Sequence, residues 1–296
     1  MAGGGLFPST TYKFRSLLSS KIFCFQSKLK VMEGVGIVPK LAFPDKIWFK
    51  IFVNSFNYVS VRDNVSLDYL KNIGIRSVVN CHDLYFGHNI YERIDAKRKG
   101  GIICLATPFS DNELRNERIR SRYDFLLKQI QNLCIRIKQK YGKLTFLPFC
   151  LGSDEKIIKD VMKDSNLSDS EVLTYGKDFK IEEIDEIFSQ YRIGLCMRFH
   201  SIVLAIRNLV PCIGICYDHK SWQLLEESNL DFIGLKYGIR IGQFWNKEFD
   251  IDDNELEMIY NRVVTDNDII VKNMRMAREL YYKDVQNNYK EIFKLL

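Results

Sequence analysis

The chain has 296 residues, of which 46% are hydrophobic and 27% are charged, and its formal net charge is +6. This length accommodates two ordinary domains or one large domain, and the hydrophobic share argues against an intrinsically disordered chain. The mild positive charge suits an anionic substrate, an anionic membrane surface or nucleic acid, and it does not choose between them.

Short apolar runs alternate with amphipathic stretches through the first part of the chain. In order, they predict a strand over residues 35–38, a helix over 45–56, a strand over 58–61, a helix over 64–73 and a strand over 78–83. This succession is the βαβ rhythm of a parallel sheet. Residues 84–100 lack apolar periodicity and carry a charged stretch, so we interpret them as the link between two domains.

A second series of strands and helices follows the link. The predicted strands cover residues 102–106, 144–149, 172–175, 193–196 and 212–216. The predicted helices cover residues 117–141, 154–162, 182–189, 201–208 and 220–228, and residues 253–296 predict two more. Nearly continuous apolar strands between helices indicate a parallel sheet covered on both faces. In such sheets, ligands bind beyond the carboxyl ends of the strands.

The eight cysteines form no Cys-x-x-Cys pair, and most lie inside apolar runs. We therefore expect small buried hydrophobes in a reducing, cytoplasmic compartment, rather than disulfides or a zinc site. No apolar run is long enough to cross a membrane. A basic helix interleaved with stacking aromatic residues is also missing from the sequence, which argues against nucleic acid as a partner.

The strongest local signal for chemistry is Arg198-Phe199-His200, which follows an apolar strand and precedes an apolar helix. A helix N-terminus attracts anions, Arg binds phosphate or carboxylate through two parallel hydrogen bonds, and His transfers protons near neutral pH. The structural alternative is that Arg198 pairs with an Asp and that His200 is a packed core histidine. For an isolated Arg-x-His motif, these structural roles are the favoured interpretation. Only the position of this motif, between a predicted strand and a predicted helix, argues for a functional role.

Further polar clusters lie at other predicted strand ends. Residues 217–220, Tyr-Asp-His-Lys, form the next such turn, so two successive strand ends offer cationic groups. Arg62 follows an earlier strand and has no evident structural need, and residues 81–83, Cys-His-Asp, follow another. In residues 152–155, Gly-Ser-Asp-Glu, we interpret Ser153 or Asp154 as a helix cap and no more.

Taken together, these turns resemble the polysaccharide pyruvyl transferase family. The resemblance extends over residues 3–235 and includes two longer blocks that are specific in combination. The matching residues are Gly3-Gly4-Gly5-Leu6-Phe7, the segment from Gly34 to Pro39, Val59 to Ser66 with Leu70 and Gly74, Asp83, and Arg198-Phe199-His200 to Lys220 with Pro211 and Tyr217.

The resemblance implies an α/β fold with two Rossmann-like domains of the GT-B type that face a cleft. We expect an N-terminal domain on the acceptor side over residues 1–90 and a C-terminal domain on the phosphoenolpyruvate side over 91–270. Residues 271–296 are expected to form a C-terminal helix that packs back on the N-terminal domain. Family members begin with a further strand and a Gly-Asn-x-Gly-Asp turn before the triple glycine. The N-terminal domain is therefore expected to be truncated, which puts the activity of this chain in doubt.

The resemblance also implies transfer of pyruvate from phosphoenolpyruvate, as co-substrate, to two hydroxyls of a sugar, with release of phosphate. The acceptor would be a sugar or a lipid-linked oligosaccharide of a cell-surface or exopolysaccharide, and neither a cofactor nor a metal is demanded. Peripheral contact with the inner face of a membrane is left open. Expected catalytic residues are His200 and Arg198, and expected substrate-binding residues are Arg62, Tyr217, Lys220, Asp83, Gly4 and Gly5.

Two other functions fit the same pattern. The first is a GT-B glycosyltransferase that uses a nucleotide sugar, since one architecture supports many chemistries. The second is a non-catalytic, truncated homologue.

Overall fold

A computed structural model describes residues 29–37, 45–88, 98–241, 244–245, 252 and 254–296. Contacts between residues divide the chain into two units. The first unit comprises Met1–Asn89, Ile241–Phe244 and Arg278–Leu296, and the second comprises Ile90–Arg240 and Trp245–Ala277. Each unit has its own parallel sheet, which confirms the predicted α/β class.

The first unit is built on a parallel sheet in the order β1-β2-β3. Its strands are β1 (Val31–Val35), β2 (Tyr58–Val61) and β3 (Val79–Asn80), and its first two helices are α1 (Asp45–Val53) and α2 (Asn64–Asn72). Apolar side chains from strands and helices fill one core, among them Met32, Phe49, Phe52, Val59 and Leu70. The sequence pattern thus predicts strand β2 to the residue.

Strand β1 lies earlier in the chain than the predicted strand over residues 35–38. Val31 and Met32 pair with β2, and the register then shifts before Val35. At this irregularity Gly34 adopts a left-handed backbone with φ of 58°, which glycine tolerates without strain. Its N–H donates to the Ser60 hydroxyl at 3.1 Å. The bulge changes the direction of the chain. Regular pairing with β2 therefore ends near Val35, where the sequence predicted that a strand would begin.

The second unit contains a seven-stranded sheet in the order β10-β9-β8-β7-β4-β5-β6. Its strands are β4 (Gly101–Cys104), β5 (Leu144–Phe146), β6 (Glu171–Val172), β7 (Ile193–Cys196), β8 (Cys212–Asp218), β9 (Gly234–Ile241) and β10 (Phe244–Trp245). The pairings from β6 through β9 are parallel. From β4 the chain first builds the sheet toward β6 and then, from β7 onward, toward the other edge. The strand order therefore reverses between β4 and β7, where open α/β sheets bind ligands.

Helices α3 (Glu117–Tyr141), α4 (Ser153–Val161), α5 (Ile184–Ser189), α6 (Phe199–Arg207) and α7 (His219–Glu227) connect these strands. The long helix α3 has the predicted bounds because Asn116 caps its start and Gly142 ends it at φ of 89°. Helix α6 begins two residues before the predicted residue 201, which places His200 in its first turn. Strands β9 and β10 were not predicted.

The chain ends with α8 (Glu255–Thr265) and α9 (Asn267–Phe293), the two helices predicted for the tail. The last part of α9 belongs to the first unit. There the Tyr58 hydroxyl donates to Asn288 Oδ1 at 2.9 Å, and Asn288 Nδ2 donates to Glu33 at 2.8 Å. Gln286 donates to the Gly87 carbonyl at 2.9 Å. These bonds fix the end of the chain beside the strands β1 and β2. Among the described helices, none has the length and apolarity needed to span a bilayer.

Six of the seven cysteines in the described ranges are buried, and Cys150 is exposed. None of the seven forms a disulfide. Cys104, Cys196 and Cys212 lie on the neighbouring strands β4, β7 and β8, inside the core. Burial raises the pKa of the Cys81 thiol to about 11, so this group stays protonated at neutral pH. The buried cysteines therefore act as small hydrophobes, as predicted.

Candidate functional site at the carboxyl end of strand β7

Arg198 lies in the two-residue turn between β7 and α6. The strand is fully buried, and the helix packs its apolar side chains into the same core, so the turn has little freedom. Arg198 occupies the N-cap position with an extended backbone, and its side chain is 27% exposed. The Arg198 motif therefore lies at the carboxyl ends of the strands, beside the point where the strand order reverses.

The guanidinium of Arg198 is held by Asp154 of helix α4. Arg198 Nε donates to Asp154 Oδ2 at 3.1 Å, and Nη2 pairs with Asp154 Oδ1. Asp154 is fully buried and also accepts the backbone N–H groups of Phe149 at 3.1 Å and Cys150 at 2.9 Å. The prediction that Asp154 only caps a helix is therefore wrong. Its carboxylate fixes the strand-to-helix turn after β5 and orients Arg198, as the structural alternative for Arg198 had proposed.

Tyr217, at the end of β8, contacts the same guanidinium. Arg198 Nη1 donates to the Tyr217 hydroxyl oxygen at 3.2 Å. Burial raises the pKa of Tyr217 to about 12, while the charge of Arg198 acts in the opposite direction. The hydroxyl is therefore protonated at neutral pH. It accepts one hydrogen bond from Arg198 and keeps its own proton to donate.

Burial acts to lower the pKa of the Arg198 guanidinium, but the hydrogen bonds to Asp154 together with the charges of neighbouring groups outweigh it, and the pKa is raised above its ordinary value. In this ion pair the positive charge of Arg198 is offset by the carboxylate of Asp154. The pair adds no net charge to the site. The guanidinium can instead orient a bound ligand through its fixed, planar set of donors.

His200 and Lys220 both lie against the ring of Phe199. The His200 side chain is exposed, and its ring stands edge-on to the Phe199 ring at 5.3 Å between centroids. The idea of a packed core histidine is therefore wrong. Lys220 Nζ lies 5.5 Å from the centre of the same ring and 3.8 Å from Asp218 Oδ2, and its side chain is 42% exposed. The two strand ends thus place Arg198 in contact with Tyr217, and His200 and Lys220 against Phe199, the residue that follows Arg198.

The two helices that start at this edge differ in how they are capped. Asp218 caps α7 by accepting the Ser221 N–H at 2.8 Å. Arg198, at the equivalent position of α6, makes no capping bond with its side chain. A helix N-terminus carries partial positive charge, and a carboxylate cap offsets part of it. The positive end of α6 is therefore directed at the edge of the sheet where Arg198 and Lys220 lie.

Arg62 and Asp83 are brought together in the first unit, after β2 and β3. Arg62 is buried, with Nη1 at 3.9 Å from Asp83 Oδ2 and Nε at 3.7 Å from Asp63 Oδ2. Gly36 lies against it, since a Cβ at this position would be 2.6 Å from Arg62 Nε. Asp63 caps α2 through the Ser66 N–H at 2.7 Å. Contrary to the sequence-based interpretation, Arg62 has structural partners.

His82 is a residue of this unit whose contacts the sequence did not indicate. It adopts a left-handed backbone with φ of 59°, and its Nε2 lies 3.1 Å from Asp284 Oδ2 on helix α9. Its ring stacks on Tyr281 at 4.1 Å between centroids. Burial lowers the pKa of His82, although Asp284 acts to raise it. The imidazole thus joins the end of α9 to strand β3.

Two of the predicted binding residues, Gly4 and Gly5, lie outside the described residues. Within the described ranges, no group of three or more His, Cys, Asp or Glu side chains gathers in a way that could hold a metal ion.

Comparison with solved structures identifies the class of fold. A crystal structure described as a UDP-N-acetylglucosamine 2-epimerase from Listeria monocytogenes matches with a TM-score of 0.53 at 10% identity, over 98% of this chain and 74% of that one. Structures of TarM and OtsA match with TM-scores of 0.47, at 13% and 10% identity and over 86% and 88% of this chain. This chain spans 46% of the TarM chain and 66% of the OtsA chain. The likeness to the epimerase structure shows an α/β fold of the GT-B type, as predicted.

The family is identified by sequence. The profile of the polysaccharide pyruvyl transferases matches residues 1–219, and the chain belongs to this family. A search of curated protein sequences finds no match.

Proposed function

We propose that this chain transfers a pyruvyl group from phosphoenolpyruvate to two hydroxyls of a sugar, and that the donor binds at the carboxyl ends of β7 and β8. Family membership supports the reaction class. The observation that carries the site is the oriented guanidinium of Arg198, held by a fully buried carboxylate beside the reversal in strand order.

Phosphoenolpyruvate carries a phosphate and a carboxylate, so its site must supply both direction and positive charge. In this proposal Arg198 supplies direction, because Asp154 and Tyr217 fix the plane of its guanidinium. Lys220 and the N-terminus of α6 supply positive charge, since the charge of Arg198 is already offset by Asp154. The Tyr217 hydroxyl donates a hydrogen bond to an oxygen of phosphoenolpyruvate.

The reaction requires one proton to reach carbon and one to reach phosphate. Protonation of the methylene carbon makes a methyl group and leaves positive character at C2, which the first sugar hydroxyl attacks. The bond between C2 and the phosphate oxygen breaks, and the second hydroxyl then bonds to C2 to close the ketal. The two hydroxyl protons balance the proton taken up at carbon and the proton that leaves with phosphate. We assign proton transfer to His200, whose exposed imidazole lies in the first turn of α6.

Donor binding can be tested by calorimetric titration of the chain with phosphoenolpyruvate. The informative variant is Arg198→Lys, which keeps the charge and removes the planar fork. Arg207→Lys is its matched control, because Arg207 lies at the other end of α6 and binds Asp185 through Nε at 3.1 and 3.0 Å. We expect a loss of affinity of at least about tenfold in Arg198→Lys only, the equivalent of one good ionic hydrogen bond.

Binding of a nucleotide sugar in place of phosphoenolpyruvate would instead support a glycosyltransferase. Failure to bind either ligand would support a non-catalytic homologue. The role of His200 is tested separately, by phosphate release in the presence of candidate acceptors. We expect His200→Gln to bind the donor normally and to release phosphate at least about a hundredfold more slowly, as is typical when a general acid or base is lost.

A further inference from the structure

The turn between strand β5 and helix α4 carries groups that the proposed mechanism does not use. Cys150, Leu151, Gly152 and Ser153 are all exposed, although the strand before them is buried. Gly152 adopts a left-handed backbone with φ of 87°, and a Cβ added there would meet nothing within 4 Å. The turn is therefore open to a ligand.

Ser153 binds the guanidinium of Arg198. Arg198 Nη2 donates to Ser153 Oγ at 3.3 Å, just as Nη1 donates to the Tyr217 hydroxyl oxygen at 3.2 Å. The other bonds of the guanidinium run from Nε and Nη2 to Asp154. In the described part of the chain, these four hydrogen bonds leave one N–H, on Nη1, for a ligand. A ligand at this guanidinium therefore needs further donors, and two hydroxyls are already in contact with it.

The Ser153 hydroxyl is able to turn its proton toward a ligand. Its Oγ lies 3.1 Å from Asp154 Oδ1 and 3.4 Å from the Cys150 carbonyl oxygen, whereas a good O–H···O bond spans about 2.8 Å. An anionic oxygen at the normal distance is a better acceptor than either, and a hydroxyl rotates to suit its acceptor. Like Tyr217, Ser153 thus accepts a bond from Arg198 and keeps a proton to donate.

The charges at this turn favour a carboxylate over a phosphate. A ligand group here gains donors but little net positive charge, because Asp154 offsets Arg198. Repulsion by the Asp154 carboxylate grows with the charge of that group, and it is about twice as large for a phosphate dianion as for a carboxylate. The phosphate is better held by the exposed ammonium of Lys220 and by the N-terminus of α6, which no side chain caps.

We propose that Ser153, Tyr217 and the remaining N–H of Arg198 form a carboxylate subsite, which binds the carboxylate end of phosphoenolpyruvate while its phosphate lies toward Lys220. Three donors suit a carboxylate, whose two oxygens together accept about four hydrogen bonds. The identity of this ligand rests on the proposed function, whereas the preference for a carboxylate rests on the charges of the turn.

The test compares the calorimetric affinities of phosphoenolpyruvate and ethyl phosphate, which lacks the carboxylate. We expect Ser153→Ala to weaken phosphoenolpyruvate binding about tenfold, the equivalent of one hydrogen bond to a charged group, and to leave ethyl phosphate binding unchanged. Ser153→Thr keeps the hydroxyl and should restore the affinity for phosphoenolpyruvate. Lys220→Gln should weaken binding of both ligands. An equal loss for both ligands in Ser153→Ala, or no loss for either, would overturn the subsite.

Ser168→Ala is the matched control. The Ser168 hydroxyl is also exposed and donates to a carbonyl three residues earlier, that of Ser165 at 2.9 Å, as Ser153 does with Cys150 at 3.4 Å. This variant should bind both ligands as the unmodified chain does. Circular dichroism of each variant establishes that it is folded.

A second readout uses Cys150, the exposed cysteine of the described ranges, and needs no phosphoenolpyruvate. Its N–H binds the carboxylate that holds Arg198, and it is among the neighbouring groups that raise the pKa of Arg198. The assay uses Cys24→Ser as background, since Cys24 lies outside the described residues. Pyruvate, a carboxylate without phosphate, should slow alkylation of Cys150 by iodoacetamide severalfold, and Ser153→Ala should abolish this protection.

The two readouts separate the subsite from the proposed function. Absence of phosphoenolpyruvate binding to the unmodified chain, with protection of Cys150 by pyruvate, would refute the proposed function and keep the carboxylate subsite. Protection by inorganic phosphate and not by pyruvate, or by neither, would overturn the subsite whether or not phosphoenolpyruvate binds.

Discussion

The ion pair between Arg198 and Asp154 is open to a quantitative test by a double-mutant cycle. In Arg198→Ala, the Asp154 carboxylate loses its counter-charge and keeps the N–H groups of Phe149 and Cys150 and the neighbouring Ser153 hydroxyl. In Asp154→Asn, the guanidinium loses its counter-charge, but its 27% exposure lets water compensate in part. The two single variants are therefore unequal.

Breaking a buried ion pair by removing one partner costs roughly 3–5 kcal/mol. We expect Arg198→Ala to lower the free energy of unfolding by about 3 kcal/mol, near the lower bound because backbone N–H groups still bind the carboxylate. We expect Asp154→Asn to lower it by about 2 kcal/mol, since the more exposed partner is left behind. The double variant should be about as stable as Arg198→Ala alone, which corresponds to a coupling energy of about 2 kcal/mol.

Urea unfolding followed by circular dichroism gives these free energies, provided that the slope with denaturant stays constant across the four proteins. Arg207→Ala provides a comparison, because this arginine is paired with Asp185 away from the sheet edge. A coupling energy below about 0.5 kcal/mol would refute the claim that Asp154 holds Arg198, since it would match the scatter of independent sites.

Three further outcomes are expected. Because burial lowers the pKa of His82 from 6.5, the unfolded chain takes up a proton at a higher pH than the folded chain does. The free energy of unfolding should therefore fall as the pH drops from neutrality through this range, and urea titrations of His82→Asn should show a smaller fall; an unchanged fall would refute the assignment. Gly36→Ala should destabilise the fold by about 1–3 kcal/mol in the same assay, because the added Cβ displaces the Arg62 guanidinium. Wild-type stability in Gly36→Ala would show that Arg62 moves freely. Tyr217→Phe should change stability by only about 1 kcal/mol yet weaken phosphoenolpyruvate binding about tenfold in calorimetry, since the hydroxyl beside Arg198 is lost. Unaltered affinity would place Tyr217 outside the donor site.

The fold was largely predictable because most elements carry strong local signals. Strand β7 and helix α3 were predicted to the residue, since each combines an apolar pattern with a defined end. Strand β9 was missed because Gly234 and Gly238 interrupt its apolar run and no local turn signal marks it. Its place is set by parallel pairing with β8, which depends on residues distant in the sequence.

Only part of the candidate site was predictable from the sequence. The turns that hold Arg198 and Tyr217 are local features, and consecutive strands place them side by side. Asp154 could not be found in this way, because its role depends on β5 and β7 both pairing with β4. An Asp at the start of a helix resembles a helix cap in sequence. Only the order of strands in the sheet shows that it faces an arginine.

The central claim is that the strand ends around Arg198 bind phosphoenolpyruvate, and calorimetric titration of three proteins tests it most directly. We expect the unmodified chain and Arg207→Lys to bind phosphoenolpyruvate with the same affinity, and Arg198→Lys to bind it at least about tenfold more weakly. Equal affinity in all three proteins, or binding of a nucleotide sugar and not of phosphoenolpyruvate, would contradict it.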